Sequence, residues 1–258
     1  MSRSELVRHT VVSRERWLVE REALLAREKE QTRRDDELAR QRMALPWARI
    51  DREYTLQTQD GPGSLARLFA GRSQLLLYHF MFGPEYEAGC PVNSSIADAL
   101  DGLAPHLAAR DVTLMLVSGA PIEKLLAYRD RMGWDLPWAS TYGTDFDLEI
   151  GFSSTEEQIR DWLSSPESAE VPAIARRNAE ACGTDLAGYL TEGFGFTAMA
   201  LRDGAVHQTY STTGRGVEFL MPYYGVLDRA PRGRAEGPDD WQLWIQRRDE
   251  YQASGARR

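Results

Sequence analysis

The run from Ser73 to Phe82 limits the fold of this chain more than any other stretch. Leu75 to Phe80 reads Leu-Leu-Leu-Tyr-His-Phe. Apolar residues without polar alternation suit a strand covered on both faces. The run stops at Gly83-Pro84, a turn signal. Gly89-Cys90-Pro91 then opens onto Ser94 to Arg110, where Ile96, Ala99, Leu100, Leu103 and Leu107 recur at helical spacing. A thiol delivered between a strand and a helix meets the unpaired N–H groups and positive dipole end of the first turn, which favour thiolate.

The alternation continues downstream. Val112 to Val117 predicts a second buried strand, and Pro121 to Met132 a helix stopped by Gly133. Trp134 to Ser140 predicts a third strand or extended segment. Strand, helix, strand, helix implies a parallel sheet with helices on both faces. Upstream, Tyr54-Thr55-Leu56 reads as a short strand, Asp60-Gly61-Pro62-Gly63 as a turn, and Leu65 to Phe69 as a short helix. After Gly151, Ser154 to Leu163 and Val171 to Cys182 read as helices of an inserted cap. Phe194 to Leu201 and Ala205 to Tyr210, joined at Asp203-Gly204, read as a β-hairpin, and Gly216 to Tyr224 as a closing helix.

Ser13 to Met43 predicts one long helix with Ser13 as its N-cap. Its apolar stripe (Trp17, Leu18, Leu24, Leu25, Leu38) is broken, and mixed charges fill the rest. Such a helix is expected to dock one face on the body or on a second subunit, which allows a homodimer. The expected division is a helical arm over residues 1–46 and a domain over 47–258, with a helical insertion at about 154–190 and a C-terminal extension carrying Trp241, Trp244 and Tyr251.

Composition narrows the function. A net charge of −8 argues against nucleic acid as a partner. No apolar run reaches the roughly 20 residues that span a bilayer, and Met1 to Thr10 lacks the apolar core of a secretory signal, so a cytoplasmic location is expected. Two cysteines, Cys90 and Cys182, are too few for a disulfide scaffold. The position three residues after Cys90 is Asn93, so the chain has no Cys-x-x-Cys.

The segment Leu76-Leu77-Tyr78-His79-Phe80-Met81-Phe82-Gly83-Pro84, with Gly89-Cys90-Pro91 after it, resembles the DUF899 family of predicted thioredoxin-like dithiol-disulfide oxidoreductases. The same likeness covers Val12-Ser13-Arg14-Glu15-Arg16-Trp17-Leu18, Ala44-Leu45-Pro46-Trp47, Pro137-Trp138-Ala139-Ser140, Tyr142-Gly143-Thr144-Asp145-Phe146 and His207-Gln208-Thr209-Tyr210-Ser211-Thr212. These motifs, in the family's order, extend from about Val12 to Tyr251. The resemblance implies an α/β thioredoxin-like fold with a peroxiredoxin-like elaboration: a central mixed sheet with helices on both faces, plus the long N-terminal helix. It also implies a redox thiol at Cys90. Members commonly carry a second cysteine where this chain has Asn93, so a dithiol cycle within that motif is excluded here.

The candidate site is therefore built around Cys90 as nucleophile, with His79 or His207 moving protons and Tyr210 beside them. Asn93, Ser94, Arg215 and Trp138 are candidate substrate contacts, Arg215 for an anionic group and Trp138 as part of an aromatic set with Trp134, Tyr142, Phe146, Tyr223 and Tyr224. Glu85 and Glu87 are solvated turn residues or general bases. A resolving thiol would come from Cys182, from a low-molecular-weight thiol or from a partner; as a helix residue Cys182 reads first as core filler. Cys90, His79, Met81 and His207 together offer sulfur and nitrogen donors suited to copper. Three functions stay open. One is an oxidoreductase using Cys90 alone on a peroxide, a disulfide or a small organic substrate. Another is a repurposed tailoring enzyme for an aromatic small molecule, with or without copper. The third is a binding protein on a degenerate redox fold.

Overall fold

A computed structural model describes residues 9–166, 168, 171–237 and 240–254. The outer ends of the expected arm and extension, residues 1–8 and 255–258, lie outside the described residues, as do 167, 169 and 170 within the expected insertion. The apolar run forms β4 (Gln74–His79), flanked by β5 (Val112–Ser118) in parallel register and β7 (Gly195–Arg202) in antiparallel register. Among the described residues one eight-stranded sheet has the order β1-β8-β7-β4-β5-β6-β2-β3. Here β1 is Ala48–Arg49, β2 Thr55–Thr58, β3 Gly61–Ser64, β6 Trp138–Ser140 and β8 Ala205–Thr213. The central β4-helix-β5-helix unit followed by the β7–β8 hairpin is the thioredoxin-type order, and the fold is a mixed α/β thioredoxin-like one.

Each face of β4 covers its own core, because side chains alternate along a strand. Leu75 and Leu77 pack with Leu56, Phe69, Val117 and Phe146 on one side. Tyr78 and Phe80 pack with Leu116, Trp138 and the helix α2 (Pro91–Leu100) on the other. Helix α2 starts where it does because Pro91 lacks the N–H that a first turn cannot use. It then buries Val92, Ile96 and Leu100, spaced four apart, and burial of each such side chain contributes about 1.5–3 kcal/mol.

Three local expectations need correction. The helix expected over Ser94 to Arg110 is two helices, α2 and α3 (Ala104–Ala108), because Gly102 between them takes φ +88°, outside the helical region. The expected turn at Gly61-Pro62-Gly63 is itself edge strand β3, paired antiparallel to β2, where proline's missing N–H costs no ladder bond. The closing helix is a 3₁₀ turn, Gly214–Leu220, and a separate short helix α9 (Pro222–Leu227), since Pro222 cannot continue a helix.

Helix α1 spans Arg14–Met43, and the Ser13 hydroxyl accepts from the Arg16 N–H. None of its residues is buried, and Trp17, Leu18 and Leu24 stay about half exposed. Its apolar stripe is therefore not docked on the body. Helix α4 (Ile122–Met132) links β5 to β6. Between β6 and β7 lie α5 (Phe146–Glu149), α6 (Glu156–Leu163), α7 (Ala173–Cys182) and α8 (Leu186–Leu190), and α10 (Arg248–Ser254) follows α9. None of the described helices is long and apolar enough to cross a membrane.

Candidate functional site

Where β4 ends, the chain folds back so that the Cys90 N–H donates to Met81 O at 3.2 Å. Asn93 Oδ1 accepts the Met81 N–H at 3.0 Å, so this side chain staples strand end to helix start. Gly89 is required at this bend. A Cβ there would meet the Phe80 ring at 2.6 Å and Tyr128 at 2.9 Å.

Cys90 is the N-cap residue of α2 and has no exposed surface. Burial by itself would push its thiol up. Hydrogen bonds to Cys182, Tyr189 and the backbone N–H groups of Asn93 and Val92 outweigh burial and bring it down to about 6. The Tyr189 hydroxyl sits 3.2 Å from the sulfur. Burial foremost, and then the Cys90 charge, hold that phenol well above its ordinary value, so Tyr189 donates to the thiolate. Tyr86 in turn donates to Tyr189 O at 2.6 Å and stacks on its ring, fixing α8 over the sulfur. The hydrogen bond to Cys90, followed by burial, raises the Cys182 thiol. The two thiols are thus shifted in opposite directions, Cys90 down and Cys182 up.

Cys90 and Tyr189 border a pocket of about 420 Å³. Its walls are mostly apolar, among them Val92, Ile96, Ile174, Leu190, Val217 and Trp241. Met81, Asn93 and Arg215 also line it. Arg215 lies at an exposed position and pairs with Glu218 at 2.8 Å. The Ser94 hydroxyl donates to Cys90 O and contacts the Tyr128 hydroxyl, both at 2.8 Å. Glu192, just after α8, also lines the pocket. Burial, reinforced by Asp147, pushes its carboxyl up to about 7.

The structure does not bring the expected imidazoles to this sulfur. His79 is on the opposite face of β4. Its Nδ1 lies 3.3 Å from Asp147 Oδ1, its Nε2 3.0 Å from Thr197 Oγ1, and its ring stacks on Phe152. Met81 does not follow His79 by strand alternation, because β4 ends at His79 and the chain turns toward Cys90. His207 pairs with Arg49 at the sheet edge beside Trp47. Tyr210 lies under the Arg42 guanidinium near the end of α1. Trp138 is core, with Nε1 donating to Ser118 Oγ. The donor set weighed for copper (Cys90, His79, Met81, His207) is therefore not assembled, and among the described residues no group of three or more His, Cys, Asp or Glu side chains could hold a metal. Glu85 and Glu87 are exposed. Sequence reasoning missed Tyr86, Tyr189 and Arg247; a buried arginine near the chain end is the one signal only coordinates expose.

A family model described as "Bacterial protein of unknown function (DUF899)" matches residues 6–251. No protein of curated function matches the chain. Solved structures similar to it include a yeast mitochondrial 1-Cys peroxiredoxin, at 15% identity over 43% of this chain and 53% of that chain, TM-score 0.35. This chain thus spans about half of that relative's length. Peroxiredoxin Q of Xanthomonas campestris shares 12% identity over 71% of this chain and 92% of that one, TM-score 0.37. Peroxidoxin BcpB from Mycobacterium tuberculosis shares 14% over 69% and 94%, TM-score 0.37.

Proposed function

The chain belongs to DUF899, a family of bacterial proteins of unknown function, so its chemistry has to be read from its own site, and we propose that it is a thiol-based oxidoreductase in which the Cys90 thiolate attacks a peroxide or disulfide bond of a small, largely apolar substrate. The observation that carries this reading is the Tyr189 hydroxyl placed 3.2 Å from the Cys90 sulfur at the start of α2. Such donors hold a nucleophile as its anion at neutral pH.

With a hydroperoxide, the Cys90 sulfur bonds the terminal oxygen and the O–O bond breaks. The alcohol leaves with the hydroperoxide's own proton, and sulfur is left as sulfenate, which takes a proton from solvent to become sulfenic acid. With a disulfide, one sulfur is captured as a mixed disulfide and the other leaves as thiolate. The apolar walls select the organic part of the substrate. Since the sulfur has no exposed surface, the reaction requires Tyr189 and α8 to yield, and it then proceeds with water excluded. Turnover of cumene hydroperoxide or an aryl disulfide in the presence of dithiothreitol tests the proposal. Cys90→Ser turning over either substrate at the wild-type rate would end it.

A further inference from the structure

We propose that Cys182 is the resolving thiol for Cys90, and that the two close a reversible intramolecular disulfide that replaces the missing Cys-x-x-Cys partner. The inference rests on Cys90 being the redox nucleophile and adds the route by which its oxidised form is discharged.

The geometry supporting it is built from separate parts of the chain. The two cysteines sit in different helices, Cys90 at the start of α2 and Cys182 at the end of α7, and both are buried in one core cluster. The Glu87 N–H donates to Cys182 O at 2.7 Å, tying the turn that leads into Cys90 to the end of α7. A single buried side chain makes the second tie. Arg247 is 4% exposed; its Nε donates to Gly89 O at 2.9 Å and its Nη2 to Ala181 O at 2.7 Å. Those carbonyls belong to the residues immediately before Cys90 and before Cys182. A planar guanidinium presents its donors in a fixed fork, so one group sets the spacing of both cysteine-bearing segments.

The electrostatics order the steps. While Cys90 is anionic, interaction with its sulfur, then burial, and then its charge hold the Cys182 thiol up, with Arg247 and Arg177 acting the other way. Oxidation of Cys90 removes that negative charge, and the Cys182 thiol becomes easier to ionise at the moment it is needed. The Cys182 sulfur then bonds the Cys90 sulfur. The S–O bond of the sulfenic acid breaks, and hydroxide leaves as water with the Cys182 proton. Cys182 is oxidised and the Cys90 sulfur reduced to the disulfide level. From a mixed disulfide the same attack expels the substrate thiol. An external dithiol reopens the bond by exchange, leaving as its own disulfide while both cysteines return to thiols.

The test uses the full chain, reduced and then treated with one equivalent of cumene hydroperoxide, alkylated, digested and mapped by mass spectrometry, with dimedone present in a parallel sample. The expected result is a wild-type protein that loses two hydrogens and yields one peptide pair linked through Cys90 and Cys182. Cys182→Ser should instead accumulate a dimedone-trapped Cys90 sulfenate at least tenfold above wild type. The wild-type map needs no variant, so it decides even if Cys182→Ser folds poorly. A Cys90 that is oxidised while Cys182 stays fully alkylated overturns the resolving role and leaves the Cys90 proposal standing. If Cys90 reacts with neither peroxide nor disulfide, both proposals fall together.

Discussion

The two faces of the central sheet each bury a polar constellation, and they are built on opposite principles. On one face, His79 is held at both nitrogens by Asp147 and Thr197 and sandwiched against Phe152. Asp147 also receives the Thr141 hydroxyl. Each of these side chains is hydrogen-bonded, as buried polar groups generally are. On the other face, the Tyr189 hydroxyl sits 3.2 Å from the Cys90 sulfur, and the Cys90 and Cys182 thiols are shifted in opposite directions. That side borders a pocket. The contrast is between a cluster whose side chains hydrogen-bond one another and one gathered around a single sulfur beside a mostly apolar pocket.

The sharpest test of this contrast is removal of the sulfur. Cys90→Ser should reduce turnover of cumene hydroperoxide by roughly 1,000-fold or more, as loss of a nucleophile does, while leaving the melting temperature close to wild type. His79→Ala should do the reverse. It strands Asp147 and Thr197 and leaves a hole beside Phe152, so equilibrium denaturation should show a loss of about 3 kcal/mol; turnover per folded molecule should stay within about twofold. A large activity loss in a folded His79→Ala protein would break the comparison.

Arg247 sharpens it. Arg247→Met leaves two buried carbonyls without a partner, a loss of about 2 kcal/mol, and should slow disulfide closure about tenfold in a stopped-flow assay. Arg247→Lys restores charge but only part of the fork, and should recover part of the rate.

The smallest effect is on titration. The folded Cys90 value lies below that of an ordinary thiol, so thiolate is present above about pH 6 and lost as pH falls through it. Thiolate absorbance near 240 nm should show that midpoint. Cys182→Ala, which deletes a donor, should move it upward, and His79→Ala should not move it.

Much of this was legible in the chain. The apolar run at β4, Pro91 at the first position of α2, Gly133 ending α4 with φ +65°, and the Asp203-Gly204 hairpin turn are all local signals, carried by residues within a few positions of one another. The failures have local reasons too. Gly102 cuts a helix that its apolar spacing would have continued. Met81 lies past the end of β4, so strand alternation does not set it beside His79.

By itself the sequence determined that one cysteine would stand between a buried strand and a helix start, because strand period, turn residues and first-turn proline act over short distances. Tertiary structure alone decided what that sulfur would meet. It turned both imidazoles away, and it folded α7 and α8 over α2 so that Cys182, Tyr189 and Arg247 converge there. Hydrogen bonds between segments far apart in the chain depend on how whole layers pack, and no residue spacing encodes them.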